Sequence, residues 1–371
     1  MNRILCTVVS SFFIISASHA DTAIDADVVN LRINCVEGAG TVNENKVGNC
    51  FQTTIDLDNW IVNTRTSTNP LLVNIGPGTF GQISCAYSDV TFRGSGRENS
   101  IIQWTGPAFS TLTGCDNLNV EDLKIESTGL HGVLITNTQE LDSTWTNVEI
   151  SGVGYGWLES IRSCNGPERG THRIFSSRIT SSSSLTTFKT ARAYGANCSK
   201  SWLYNSEVNA IANDLLEDTF ILDAVNDSEI HVYGSNLRLL VSPDLTLHKR
   251  MAMIASQDNS EIHIHGTGID LISENAHTVY VLNAQAGSSI HANGSAYALK
   301  NPGTTIRIFG EGTVKAPYLW EQGKTAPDIS SVTGADIFVD TSGAVPEMFI
   351  YSAACNGAGG TWVSSKTGLC R

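Results

Sequence analysis

The chain has 371 residues, 23 basic and 36 acidic, and a net charge of −13 at pH 7. An acid surplus of that size makes it a poor partner for nucleic acid or an anionic membrane. After the first twenty residues no stretch reaches the roughly eighteen uncharged apolar residues of a membrane helix, so no helical span is expected.

Residues 1–20 read as a signal peptide: Arg3 is the only charge, an apolar run extends from Ile4 to Ile15, and small residues precede Ala20. The mature chain is expected to start near Asp21 and to be secreted or periplasmic. Losing Arg3 leaves 22 basic against 36 acidic residues, a net charge of −14. Losing Cys6 leaves eight of nine cysteines, an even number that suits an oxidising compartment. Eight cysteines allow about 105 pairings. Neighbour pairs are expected, Cys35–Cys50, Cys85–Cys115, Cys164–Cys198 and Cys355–Cys370, because each closes a short loop or joins adjacent coils of the repeat below. No two cysteines have the two-to-four-residue spacing of a zinc site.

Residues 21–70 read as an N-terminal cap. Phe51, Ile55 and Val62 fall on one helical face and predict a cap helix. Leu71–Ile75 then reads as a first strand.

From there the chain repeats. Asn226-Asp-Ser-Glu-Ile-His-Val-Tyr-Gly-Ser235, Asp258-Asn-Ser-Glu-Ile-His-Ile-His-Gly-Thr267 and Ala286-Gly-Ser-Ser-Ile-His-Ala-Asn-Gly-Ser295 share Ser, Ile-His and Gly in one register. Extending that register aligns Phe92, Ile125, Ile150, Ile179, Val208, Ile230, Ile262, Ile290 and Ile306, at intervals of 33, 25, 29, 29, 22, 32, 28 and 16. Within each unit apolar and polar residues alternate, as in a half-buried strand, and Gly, Asn, Ser and Asp punctuate the units. A unit of strand and turn cannot bury its apolar face alone, whereas stacking gives backbone hydrogen bonds and a continuous core. The expected fold is therefore all-β: a right-handed parallel β-helix of about nine coils over residues 71–315. Residues 316–371 read as a C-terminal cap closed by Cys355 and Cys370.

The run from Phe51 to Ile102 resembles the start of pectin-lyase-like β-helix proteins, pectinesterases in particular. The similar features are Thr54-Ile-Asp-Leu-Asp58, Ile75-Gly-Pro-Gly-Thr-Phe80, Phe92-Arg-Gly-Ser-Gly-Arg97 and Ser100-Ile-Ile102. The resemblance implies the fold. Glu217-Asp218-Thr219-Phe220 is similar to the pectinesterase Gln-Asp-Thr-Leu, which implies an acid role for Asp218. The other catalytic signatures of pectinesterases, polygalacturonases and pectate lyases are not matched, so the resemblance implies the scaffold rather than one reaction.

Three groups of residues could carry chemistry. Between Arg162 and Lys200 lie seven basic residues against one acid, Glu168. Arg173, Arg178, Lys189 and Arg192, with Trp157, Tyr194 and Trp202 near them, suit an acidic glycan, since guanidinium pairs with carboxylate in bidentate fashion. The solvated alternative pairs these bases with acids one coil away, as Arg178 with Glu207. Next, Asp214, Glu217, Asp218 and Asp223 offer a general acid and base, or carboxylates for Ca²⁺, against the alternative of a polar turn. Asp214, Glu217 and Asp218 are the candidate catalytic set. Finally, His231, His263 and His291 form an outward ladder that could bind a metal or charge in acid, although duplication alone explains their recurrence. No metal site is assigned, and no nucleotide, flavin or haem cofactor is expected.

Two functions stand against each other. One is a secreted monomer that binds an extracellular polysaccharide, acidic glycans included, with or without degrading it as a lyase, glycoside hydrolase or carbohydrate esterase. The other is a non-catalytic, adhesin-like surface protein.

Overall fold

A computed structural model describes residues 26–33, 50–136, 141–159, 164, 170–182, 190–212, 218–241, 250–272, 278–293, 296–300, 305–310, 313–315, 337–340, 347–352 and 361–364. The signal segment, Asp214, Glu217 and Lys189 lie outside these residues.

The chain winds into a parallel β-helix with three sheets. Sheet A has twelve strands, and sheets B and C have nine each among the described residues. From Leu71–Ile75 to Thr313–Lys315 successive strands enter A, B and C in turn, so neighbouring strands of a sheet lie three places apart in chain order. Sheet A starts inside the segment assigned to the N-terminal cap. Asp27–Leu31 pairs in parallel with Leu71–Ile75, and Cys50–Phe51 pairs with its other edge. In the C-terminal segment, Ile337–Asp340, Glu347–Ser352 and Thr361–Ser364 form a separate antiparallel sheet.

The cap helix spans Thr54–Asn63, with the side chain of Thr53 accepting a hydrogen bond from the Asp56 amide at its start. Its buried face differs from the expected one. Thr54, Leu57 and Ile61 are buried, whereas Ile55 and Val62 are each 67% exposed. Both triplets have helical spacing, and contact with the first coils selects one of them. Phe51 does reach the core, but from its strand rather than from the helix.

The isoleucine register also needs correction. Ile125, Ile150, Ile179 and Val208 form one column in sheet B, continued by Leu237. Ile230, Ile262 and Ile290 form a column in sheet A. Phe92 belongs to sheet A beside Val120, and Ile306 to sheet C beside Val279. The intervals of 33, 22 and 16 are therefore hops between sheets. The error has a local cause. The turn from A to B and the turn from C to A both place Asn in the left-handed region ahead of Ser and a strand, with φ of 49° at Asn205 and 54° at Asn226.

These turns explain the repeat's polar residues. Between sheets A and B the left-handed position is held in successive coils by Asp122, Asn147, Ser176, Asn205, Gly234 and Gly266. Asn and Asp tolerate that conformation through local hydrogen bonding, and Gly has no Cβ to clash. The next residue is a buried serine in three coils. Ser206 Oγ accepts the Ser177 amide at 3.2 Å and donates to the Tyr204 carbonyl at 2.9 Å, and Ser177 and Ser235 do the same one coil away. Backbone groups at a buried corner thus find partners that no sheet supplies.

Two expected disulfides are present, Cys85–Cys115 and Cys164–Cys198, each with a Cα–Cα distance of 5.5 Å. Cys50 is also disulfide-bonded. Cys35, Cys355 and Cys370 lie outside the described residues. No helix among the described residues is long and apolar enough to cross a membrane.

Candidate functional site

The three sheets present different outer faces. On sheet B, charges alternate from coil to coil. Arg178 Nε lies 2.9 Å from Glu207 and its Nη1 lies 3.7 Å from Glu149, while Arg238 bridges Glu207 and Asp270. Burial raises the Glu207 carboxyl, but Asn209, Arg178 and Arg238 outweigh it and hold the group below its usual range. Arg178 therefore satisfies neighbouring carboxylates, as in the solvated alternative.

Sheet C is largely covered. Phe220, Ala252 and Ala255 make a buried apolar cluster on its outer side, separate from the main core. Arg192 lies between two rings, 5.6 Å from the Tyr155 centroid and 5.5 Å from that of Phe220. Its Nε is 2.8 Å from Oδ2 of the fully buried Asp223, off the N–H axis, so the contact is an ion pair rather than a linear hydrogen bond. Gln257 donates to Asp223 at 2.8 Å, and Gln285 to Gln257 at 2.9 Å. Asp218 opens a strand of the same sheet, in register with Thr190 and Arg250.

Sheet A is flat and half-exposed. Strands Thr171–Phe175, Lys200–Tyr204, Glu229–Tyr233, Glu261–His265 and Ser289–Asn293 lie side by side. Period-two alternation sends three columns outward. The middle column runs Arg173, Trp202, His231, His263, His291. Its rings stack at centroid distances of 5.4, 4.8 and 5.0 Å, and the Arg173 guanidinium sits 5.9 Å over Trp202. A second column, Phe175, Tyr204, Tyr233, His265, stacks at 5.0, 5.2 and 5.1 Å. In the third column, Lys200 Nζ is 2.9 Å from Glu229. Glu229 in turn lies 2.6 Å from His231 Nε2, and Glu261 lies 3.2 Å from His263 Nε2.

The stacking decides what this face offers. Ring faces are taken up by neighbouring rings one strand away, so the surface shows ring edges bearing Tyr hydroxyls, imidazole nitrogens and the indole. Five strands at about 4.8 Å make a strip of roughly 19 Å. Of the eight rings in register, all except Phe175 bring a hydrogen-bonding edge, an array suited to an extended polar chain.

The expected site residues are thus divided. Arg173 and Trp202 meet on sheet A, Arg178 is on sheet B, and Arg192 and Asp218 are on sheet C. Trp157 and Tyr194 are fully buried core residues and line no cleft. The histidine ladder faces outward as expected. The column Phe175, Tyr204, Tyr233, His265 went unread, although it recurs two residues after each member of the first column, as in Trp202-Leu-Tyr204.

A buried polar cluster also went unread. Glu159 accepts from Trp157 Nε1 at 3.1 Å, the Asn197 amide at 2.7 Å and Ser199 Oγ at 2.5 Å, and its Oε1 lies 3.5 Å from His172 Nε2. His172 Nδ1 is 2.8 Å from Ser143 Oγ, which accepts from Trp145 Nε1 at 2.9 Å. Tyr194 donates to Ser201 at 2.8 Å. Burial drives both ionisable groups toward neutrality: Glu159 rises to about 7 against its three donors, and His172 falls to about 3, with Arg173 adding to the fall. Ser143, His172 and Glu159 have the order of a nucleophile, base and carboxylate, but side chains without solvent access cannot meet a substrate. Among the described residues, no group of three or more His, Cys, Asp or Glu is arranged to hold a metal ion.

Structural comparison aligns the chain with several solved structures. Pectate lyase Pel9A aligns at 11% identity over 83% of this chain and 83% of its own, with a TM-score of 0.49. Pectin methylesterase from carrot aligns at 11% identity over 74% and 88%, with a TM-score of 0.44. The A-module of mannuronan C-5 epimerase AlgE6 from Azotobacter vinelandii aligns at 10% over 66% and 91%, with a TM-score of 0.25. No family model and no curated protein sequence matches the chain. The protein is a three-sheet parallel β-helix in fold. That fold rests on the strand register itself.

Proposed function

We propose that the protein binds an extracellular polysaccharide along the outer face of sheet A, between Arg173 and His291. The observation that carries this reading is the pair of ring columns in register, with polar edges toward solvent and strand-repeat spacing. A flat strip of repeated donors and acceptors suits a linear polymer of repeated hydroxyls better than a compact small molecule. Arg173 at one end adds a site for a carboxylate or sulfate. Disulfides support a protein that works in an oxidising compartment, outside the cytosol.

The test is affinity electrophoresis and calorimetry against a panel of neutral and acidic polysaccharides. Trp202→Ala and Tyr233→Ala should each weaken binding about tenfold, some 1.4 kcal/mol. Unchanged affinity in both variants would remove the sheet A face from the reading, and no binding to any polysaccharide would remove the reading itself.

For turnover we propose Asp214, Glu217 and Asp218, with Arg192 and Lys189 beside them. Reducing-end and unsaturated-product assays on Asp218→Asn are the check. The non-catalytic reading is favoured by one observation: among the described residues, Asp223 is the carboxylate that pairs with Arg192, and it is fully buried in that ion pair and not offered to a substrate.

A further inference from the structure

We propose that the outer face of sheet A takes a neutral, extended, β-1,4-linked glycan that lies along the helix axis, one sugar to each coil. This rests on the polysaccharide-binding reading and names the class of chain.

The first argument is repeat length. Outward rows of side chains, such as Lys200, Trp202 and Tyr204 on one strand and Glu229, His231 and Tyr233 on the next, recur in register over five strands. Along the two ring columns the repeat is 4.8 to 5.4 Å. A polymer gains from such an array only if its own repeat keeps step, because a mismatch accumulates with every row. The strand spacing, about 4.8 Å, is close to the advance per sugar of an extended β-1,4-linked pyranose ribbon.

The second argument is straightness. Successive ring planes turn by only 4° to 13° from Trp202 to His263 and from Phe175 to His265, and by 28° at the last step, to His291. Neighbouring strands of an ordinary sheet are rotated by roughly 20–25°. A straight ribbon follows columns of this kind over five coils, whereas an α-1,4-linked glucan coils away from the line. Across the central row, Glu229 Oε1 lies 2.6 Å from His231 Nε2 and the Tyr233 hydroxyl lies 3.4 Å from His231 Nδ1. The carboxylate and the phenol at the two ends of that row are half-exposed, an acceptor and a donor placed for hydroxyls on the two edges of one sugar ring.

The third argument is charge. Arg173 and Lys200 stand on the first two rows, and register sets Lys315 next to His291 at the other end. Glu229 and Glu261 stand on the central rows, and Glu229 is paired with Lys200 at 2.9 Å. A polyuronate with a carboxylate on every sugar would lay two of them over these acids, and a polycation would meet cations at both ends. A neutral polyhydroxyl chain meets neither.

The experiment measures binding of the full-length mature protein, by calorimetry at pH 7.5, to cello- and manno-oligosaccharides from trisaccharide to octasaccharide, with maltohexaose and hexagalacturonate as α-1,4-linked comparisons. Affinity for at least one β-1,4 series should rise roughly threefold per added sugar up to the pentamer or hexamer and stay level beyond it, and both comparison sugars should bind about tenfold or more weakly than the hexamer of that series. Tyr233→Ala, in the central row, should weaken hexasaccharide binding about tenfold, and Arg173→Ala, at the end, less than about threefold. Thermal unfolding checks that both variants fold. Affinity that is level from the trisaccharide on, maltohexaose bound as tightly as the β-1,4 hexamers, or an Arg173→Ala loss as large as that of Tyr233→Ala overturns the one-sugar-per-coil fit and leaves the polysaccharide reading intact. Hexagalacturonate bound more tightly than both neutral β-1,4 hexamers, or failure of both β-1,4 series while another polysaccharide binds, overturns the choice of class alone. No binding of any oligosaccharide or polysaccharide overturns both.

Discussion

One inward column of sheet A has two characters. At Ile230, Ile262 and Ile290 it is fully buried hydrocarbon, and three coils earlier the same column reads Ser143, His172 and Ser201, buried to the same extent. The polar stretch persists because its hydroxyl, indole and carboxylate groups meet one another, and because Trp145, Trp157 and Tyr194 supply the apolar bulk beside it, with ring centroids at 5.0 and 5.3 Å. A buried polar group without a partner would cost about 1–3 kcal/mol. Inward position in a β-helix therefore demands filling and pairing rather than hydrophobicity as such.

The sharpest way to break this comparison is to empty each stretch in turn. Trp157→Ala should cost about 3–5 kcal/mol, since it leaves a large cavity and strips Glu159 of a donor. Ile262→Ala should cost about 2–5 kcal/mol. Urea unfolding measures both, and a Trp157→Ala loss well below that of Ile262→Ala would mean the polar stretch is loosely packed.

The pH dependence of stability separates the two stretches next. Glu159 sits near 7 in the folded chain against an ordinary 4.5, so folding retains a proton that the unfolded chain has released, and stability falls as pH rises from 4.5 to 7. His172 sits near 3 against 6.5, so the folded chain refuses a proton that the unfolded chain takes up, and stability rises from pH 3 to 6.5. Between 4.5 and 6.5 the two slopes oppose each other. Glu159→Gln should unmask the rising slope and His172→Gln the falling one, each up to about 1.4 kcal/mol per pH unit. Unfolding free energies measured from pH 4 to 7 test this. Parallel profiles in the two variants would show that burial does not hold both groups neutral.

Corners and outer faces should matter less. Ser206→Ala deprives the buried Ser177 amide of its acceptor and should cost about 1–2 kcal/mol by denaturant unfolding. Arg178→Ala, on the half-exposed charge ladder of sheet B, should cost less than about 1 kcal/mol, and the loss should shrink as salt is added.

Much of the fold was legible residue by residue. Alternation in Glu-Ile-His-Val-Tyr marked strands, Asn and Gly marked left-handed turns, and the neighbour pairs Cys85–Cys115 and Cys164–Cys198 followed from coil-length spacing. The site was legible only in fragments. Arg173, Trp202 and the histidine ladder were singled out separately, and register joined them on one face. Arg178 and Arg192 lie on other sheets, because residues close in sequence leave a β-helix in different directions at each corner. His172 gave no signal, since a polar residue in an alternating strand reads as outward until the next coil shows otherwise.

By itself, then, the sequence determined the features set within a few residues: which segments extend, where the chain turns, and that units of this kind must stack to bury anything. Tertiary structure alone decided the rest: which column each isoleucine joined, which face of the cap helix was buried, and which polar side chains lay inside. The physical reason is range. Strand and turn follow from local sterics and hydrogen bonding, whereas the surroundings of a side chain come from the coils before and after it, from 19 residues away in sequence between Leu71 and Val90 to 37 between Tyr155 and Arg192.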